Sequence, residues 1–218
     1  MLTTTTPPPV LATRPPTVQV AYTSHYCEEN VYLLLQTLAS DASVADTWNA
    51  YAVFISNETK SVALWNQKLA PEDSVMPVVW DYHVVALLRP KEPEISQECE
   101  ERVLPQAWIY DFDSRIPTPV LLEEYLEGTF RDEVPTQFQS LFRVVSAQEL
   151  FDYFASDRSH MLSSEASLVY VKPPPGHAAI RGTKAVHDTN LMGSFVNMRN
   201  EEDTYGRVVS LEELQGWC

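Results

Sequence analysis

The sequence predicts an α+β fold. An amphipathic helix opens near residue 27, β-forming segments follow at 51–56, 61–65, 75–88 and 107–113, and three more helices come later. Grouped elements of this kind, without strand–helix alternation, favour helices packed on an antiparallel sheet over a doubly wound parallel one. With six glycines and no Gly-rich loop, a phosphate-cradling P-loop and a dinucleotide fingerprint are excluded.

Residues 1–18 are rich in Thr and Pro and read as a disordered tail, leaving 19–218 as one folded domain. The tail lacks a basic start followed by an apolar stretch, so it does not read as a secretory signal. Cys27-Glu28-Glu29-Asn30 leads into Val31, Leu34, Leu35 and Leu38, whose i, i+3, i+4, i+7 spacing marks one helix face. Ser24 or His25 lies near the start of that helix, and Glu28 and Glu29 suit the dipole of its first turn. Tyr51–Ser56 is rich in β-formers, Asn57–Lys60 is a turn, and Ser61–Trp65 reads as a returning strand. Val75–Leu88 reads as one long strand with Pro77 near its beginning. Arg89–Pro105 is a charged loop and Ala107–Asp113 another strand. Thr118-Pro119 opens a helix that Gly128 closes. Ser146 with Glu149, and Ser210 with Glu213, are capping boxes before two further helices. Residues 162–188 read as mostly irregular.

Composition narrows the function. Hydrophobic residues make up 44% of the chain and aromatics 11%, enough to bury a core. No apolar run approaches the roughly 18 residues of a membrane span. The three cysteines, Cys27, Cys99 and Cys218, are too few and too irregular for a disulfide framework, and no CxxC pair suggests zinc. They point to a reducing compartment, the cytoplasm and with it the nucleus. The net charge of −15 disfavours nucleic acid and favours cationic ligands.

The chemistry gathers on three residue types. Cys27 stands immediately before a helix, where backbone N–H groups stabilise a thiolate. Glu28 and Glu29 oppose that by repulsion, so a neighbouring imidazolium is needed to complete the activation. His83 lies in Trp80-Asp81-Tyr82-His83, where strand alternation puts Val79, Asp81, His83 and Val85 on one face. In Trp108–Asp113, Asp111 and Asp113 share a face, and antiparallel pairing would set a carboxylate within reach of the imidazole. Spacing does not choose between the two. A nucleophile, a base and an orienter on rigid elements, in the order Cys, His, Asp, is the order used by papain-like and transglutaminase-like hydrolases.

Five blocks sharpen this: Tyr22–Asn30 (YTSHYCEEN), Tyr51–Glu58 (YAVFISNE), Val79–Val85 (VWDYHVV), Ile109–Asp113 (IYDFD) and Phe154–Met161 (FASDRSHM). With the late Pro173-Pro174-Pro175 they resemble the protein N-terminal glutamine amidohydrolase family over about residues 20–215. The resemblance implies a papain/transglutaminase-type α+β core, with the nucleophile's helix packed on an antiparallel sheet. It implies a monomer with no cofactor and no metal. It selects Cys27 as nucleophile, His83 as base and Asp111 as orienter. It also implies a product that feeds arginylation-dependent protein degradation. The substrates would be proteins or peptides with a free N-terminal glutamine, with no nucleic-acid or membrane partner. The sequence departs from the family in its Thr/Pro-rich start and its long acidic Arg89–Pro105 loop.

A chain terminus is recognised through its α-ammonium, which calls for an acidic or polar group near the nucleophile. Asp81 is the first candidate, followed by Glu28 and Ser24. Ser156, Asp157 and Ser159 read as cap or turn residues, Arg158 as a tie to an acidic group, and His160 has no assigned role. Two other readings use the same residues. One is a different papain-like Cys-His-Asp hydrolase, such as a peptidase or deubiquitinase. The other is a non-enzymatic binding module with Cys27 in its core.

Overall fold

Ala52–Ile55 and Val84–Leu88 read as continuous apolar runs rather than alternating ones, the mark of strands covered on both faces. In the computed structural model, which describes residues 14–91, 106–164 and 167–217, these runs are paired strands at the centre of a six-stranded antiparallel sheet. The first helix, α1 (Cys27–Ser40), and the short α2 (Ala42–Thr47) precede β1 (Trp48–Ser56). Then come β2 (Val62–Leu64), β3 (Val78–Trp80), β4 (His83–Pro90), β5 (Trp108–Tyr110), β6 (Val120–Leu121) and α3 (Leu122–Thr129). β7 (Leu141–Ser146), α4 (Ala147–Tyr153), β8 (Leu162–Ser164), β9 (Ser167–Tyr170), β10 (Arg207–Val209) and α5 (Leu211–Gln215) complete the order. The sheet runs β10-β7-β1-β4-β5-β6.

Alternate residues of β1 and β4 feed two cores. Ala52, Phe54, Val84, Ala86 and Leu88 pack with Val31, Leu34, Leu35 and Leu38 of α1 and with Leu150 of α4. Val53, Ile55, Val85 and Leu87 pack with Tyr125 and Leu126 of α3 and Leu214 of α5. The sheet is therefore sandwiched between α1 and α4 on one face and α3 and α5 on the other. Both capping boxes form: Ser146 Oγ accepts the Glu149 N–H, and Ser210 Oγ accepts the Glu213 N–H, each at 3.2 Å. Among the described residues no helix is long and apolar enough to cross a membrane.

The elements differ from the sequence reading in several places. The 75–88 segment is two strands, β3 and β4, broken at Asp81-Tyr82. There Asp81 Oδ1 accepts the Tyr82 N–H at 2.9 Å, and Ser56 Oγ donates to the Asp81 carbonyl at 2.6 Å. Local bonds of this kind compete with a ladder and turn the chain. Asp81 and His83 therefore do not share the face of one strand. β2 does not return along β1; it pairs with β3 in a separate two-stranded sheet. β5 stops at Tyr110, short of Asp113. Leu121, not Thr118, precedes α3, and Gly128 lies within its last turn. Part of the 162–188 segment is a hairpin of β8 and β9. Most of the Arg89–Pro105 loop lies outside the described residues, as do residues 1–13 of the expected tail. Residues 14–18 of that tail pack on the fold: Tyr110 donates to the Pro16 carbonyl at 2.7 Å, and the Arg14 guanidinium donates to the Pro119 carbonyl at 2.9 Å.

Candidate active site

The helix that carries Cys27 is positioned by its own preceding turn. Asn30, in the first turn of α1, reaches back to Thr23, accepting its N–H at 2.9 Å and donating to its carbonyl at 2.8 Å. Between them His25 adopts a φ of 69°, unusual for a residue with a side chain. This closed turn presents Cys27 at the head of α1. The Cys27 side chain is 7% exposed. The thiol points at Glu28 Oε2, 3.6 Å away. Burial pushes the Cys27 thiol well up, with the nearby Glu28 and Asp113 adding to the shift and the backbone of Val84, the residue after His83, opposing it. The helix start thus does not by itself yield a thiolate, because the thiol has lost its water.

His83 is fully buried at the start of β4. Its Nε2 lies 2.9 Å from Asp111 Oδ1, and the Trp80 indole stacks on it at 5.1 Å between ring centroids. Its Nδ1 is buried with no hydrogen-bond partner among the described residues. Burial opposes a charged imidazole, but the Asp111 carboxylate outweighs it and the pKa is raised. The β4–β5 ladder sets Ala86 against Tyr110. Continued, that ladder would bring Asp113, not Asp111, opposite His83. The strand ends instead, and Asp111 Oδ1 accepts the N–H groups of Asp113 at 2.9 Å and Ser114 at 3.2 Å. Tyr125 of α3 donates to Asp111 Oδ2 at 2.9 Å. Burial works against the Asp111 carboxylate, yet His83 and these donors hold its pKa below the usual value. Tyr125 has no motif signal in the sequence; only the fold brings it here.

Cys27, Trp80, Asp81, Tyr82, Asp113 and His25 line one cleft of about 180 Å³, with Leu69, Val79 and Met161 as its apolar wall. A larger groove of about 630 Å³ near Phe130 and Ser140 is not lined by Cys27, so volume does not identify the site. Of the three residues proposed from sequence to bind the ammonium, Asp81 lies on the cleft wall and is exposed. Glu28 is 1% exposed and lies beneath the wall rather than on it. It accepts the Tyr82 hydroxyl at 3.2 Å, and burial raises its pKa to about 8. Ser24 is exposed and is not among the residues that line the cleft. Asp113, weighed in the sequence only as an alternative orienter, is on the wall instead.

The 154–161 block ties down α1. Glu29, wholly buried, accepts Ser156 Oγ at 2.6 Å and a two-pronged bond from Arg158 at 2.8 and 2.7 Å. His177 Nε2 approaches the same carboxylate at 3.6 Å. The side chain of His160 lies outside the described residues.

Donor atoms of His83, Asp111 and Asp113 lie within 4.8 Å of one another, the one metal-compatible group among the described residues. In this arrangement His83 Nε2 and Asp111 Oδ1 already face each other at hydrogen-bonding distance, so an ion would have to displace that bond.

The family model described as N-terminal glutamine amidase matches residues 22–218. The chain is 35% identical over 202 residues to protein N-terminal glutamine amidohydrolase of Homo sapiens, covering 92% of this chain and 88% of that one. It is 37% identical over 171 residues to the protein of the same name from Arabidopsis thaliana, covering 77% and 72%. To that of Drosophila mojavensis it is 32% identical over 202 residues, covering 92% and 89%. The matched span takes in the Cys27 helix, the His83–Asp111 pair and the cleft, and this chain belongs to the N-terminal glutamine amidase family.

Proposed function

We propose that this protein hydrolyses the side-chain amide of an N-terminal glutamine, giving N-terminal glutamate and ammonia, on a papain/transglutaminase-like core. The observation that carries the reading is the state of His83. One nitrogen is fixed by Asp111, the other is unpartnered among the described residues, and the backbone of the next residue, Val84, favours the ionised Cys27.

Cys27 is the nucleophile. Its thiol turns from Glu28 to His83 Nδ1 and attacks the amide carbon as its proton passes to that nitrogen. Because burial raises the thiol, this transfer accompanies attack rather than preceding it. Asp111 holds the imidazole orientation and stabilises the imidazolium. The oxyanion is met by the Cys27 N–H at the head of α1 and by the Trp80 indole N–H, a buried donor without a partner beside the cleft. His83 then gives its proton to the leaving nitrogen, the C–N bond breaks and ammonia departs. A γ-glutamyl thioester remains on Cys27. Water, losing a proton to His83, attacks the thioester; the sulfur leaves, is reprotonated, and glutamate is released.

Fixing the α-ammonium discriminates against asparagine, whose shorter side chain leaves the amide short of the sulfur, and misplacement by about 1 Å costs on the order of 100-fold. Internal glutamine lacks the ammonium altogether. Action on protein N-termini in the cytoplasm or nucleus, as a monomer feeding arginylation-dependent degradation, completes the reading; family resemblance supports these parts.

Mass spectrometry of a Gln-initiated peptide tests it. The wild type shifts residue one by about +1 Da, as Cys–His amide hydrolysis requires, and Cys27→Ala does not. An unchanged peptide with wild type, equal rates for the two proteins, or cleavage of an internal bond would overturn the proposal.

A further inference from the structure

The cleft holds a charge that the proposed chemistry does not use. Asp113 lines it together with Cys27 and is 9% exposed. Its Oδ1 accepts the Tyr22 hydroxyl, its N–H is held by Asp111 and its carbonyl by the Lys68 N–H at 2.7 Å. Its other oxygen, Oδ2, makes no hydrogen bond among the described residues, and no Lys or Arg there ion-pairs with it. Among the described residues this carboxylate, oriented on one oxygen and open on the other, has no Lys or Arg partner. Burying charge without one is costly, and the charge-assisted bond it lacks is correspondingly strong.

We infer that Asp113 is the residue that binds the substrate's α-ammonium, with Tyr22 holding the carboxylate in place. This rests on the proposed N-terminal amidohydrolysis and names its specificity determinant. Two observations favour Asp113 over Asp81. Asp81 is exposed, so its ion pair would be screened by water. Asp113 also stands close to the reacting groups, since one of its oxygens is within 4.8 Å of a His83 nitrogen. An ammonium seated on Asp113 leaves the glutamine side chain to span the remaining distance to the sulfur.

A second consequence follows from the same placement. The Asp113 charge opposes ionisation of Cys27. A bound ammonium cancels that charge, so the cognate N-terminus both binds and eases loss of the thiol proton during attack. A peptide with a blocked N-terminus loses both effects.

The test is a binding cycle between side chain and ligand. In the Cys27→Ala protein, calorimetry compares a Gln-initiated peptide with its α-N-acetylated form, with and without Asp113→Asn. Asn keeps the backbone bonds and an acceptor for Tyr22. The expected result is that acetylation weakens binding at least tenfold in Cys27→Ala but leaves it unchanged in Cys27→Ala/Asp113→Asn. In otherwise wild-type protein, Asp113→Asn raises KM at least tenfold while iodoacetamide labels Cys27 faster at neutral pH. Tyr22→Phe, which leaves the carboxylate intact, gives a smaller rise in KM. An equal acetylation penalty with and without Asp113 overturns the inference, as does an unchanged KM in Asp113→Asn. If wild type deamidates N-terminal glutamine and the cycle shows no coupling, only this assignment falls. If wild type does not deamidate it, the functional reading falls first.

Discussion

Glu28 sits in an environment that its position does not suggest. A carboxylate in the first turn of a helix ordinarily faces water and favours the dipole. This one is covered, with Oε1 lacking any partner among the described residues and Oε2 shared by Tyr82 and the Cys27 thiol. Burial raises its pKa from 4.5 to about 8. Between those values the folded protein holds a proton that the unfolded chain has released. Stability is therefore complete below the unfolded pKa and declines as pH rises through that window, by about 1.4 kcal/mol per pH unit. Glu28→Gln cannot ionise, so its urea midpoint should fall less than that of wild type between pH 6 and pH 9. Parallel curves for the two proteins would count against a buried, protonated Glu28. Trp80 gives a second expectation. Trp80→Phe keeps the aromatic stack on His83 but removes the indole N–H. Loss of an oxyanion donor should lower kcat by roughly 100-fold or more, with KM and the rate of Cys27 alkylation little changed. A fall in alkylation of the same size would make Trp80 a packing residue for His83 instead.

At the scale of elements, the site depends on how α1 is anchored. Its N-terminal half carries Cys27, Glu28, Glu29 and Asn30, and three of these four side chains are committed elsewhere: Glu28 to Tyr82, Glu29 to Arg158 and Ser156, Asn30 to Thr23. The polar run CEEN is thus a set of fasteners rather than a solvated turn. Breaking the Arg158–Glu29 pair leaves a buried carboxylate with only Ser156 and a distant His177. Arg158→Ala should cost roughly 3–5 kcal/mol in urea unfolding, and Glu29→Gln in the same background should recover part of it. A single variant within about 1 kcal/mol of wild type would show that the clamp contributes little. Gly206 is a second fixed point. Its φ is +64°, and a Cβ there would lie 2.2 Å from the Val144 carbonyl oxygen of β7. Gly206→Ala would therefore disturb the β7–β10 edge, an effect read as a lowered melting temperature.

For the whole molecule, the net charge is −15, and the cleft is proposed to receive a cation. A negative field of this kind attracts cationic ligands over distances comparable with the Debye length. For Gln-initiated peptides carrying Lys or Arg near the start, kcat/KM should fall as salt rises from about 10 to 300 mM, and fall less for neutral peptides. Equal salt dependence for both would show that the field plays no part. The sequence by itself determined the α+β class, the α1 helix and both capping boxes, because these follow from periodicity and local hydrogen bonds. It also singled out Cys27, His83 and a carboxylate in the 111–113 pair, through residue types in a recurring order. It did not show the break at Asp81-Tyr82, where side-chain bonds outweigh β propensity, or the end of β5 that turns Asp111 onto His83. Nor did it place Glu28 beneath the cleft, Asp113 on its wall or Tyr125 against Asp111. Those depend on which side chains lose their water when distant segments pack, and burial of that kind is a property of the tertiary structure alone.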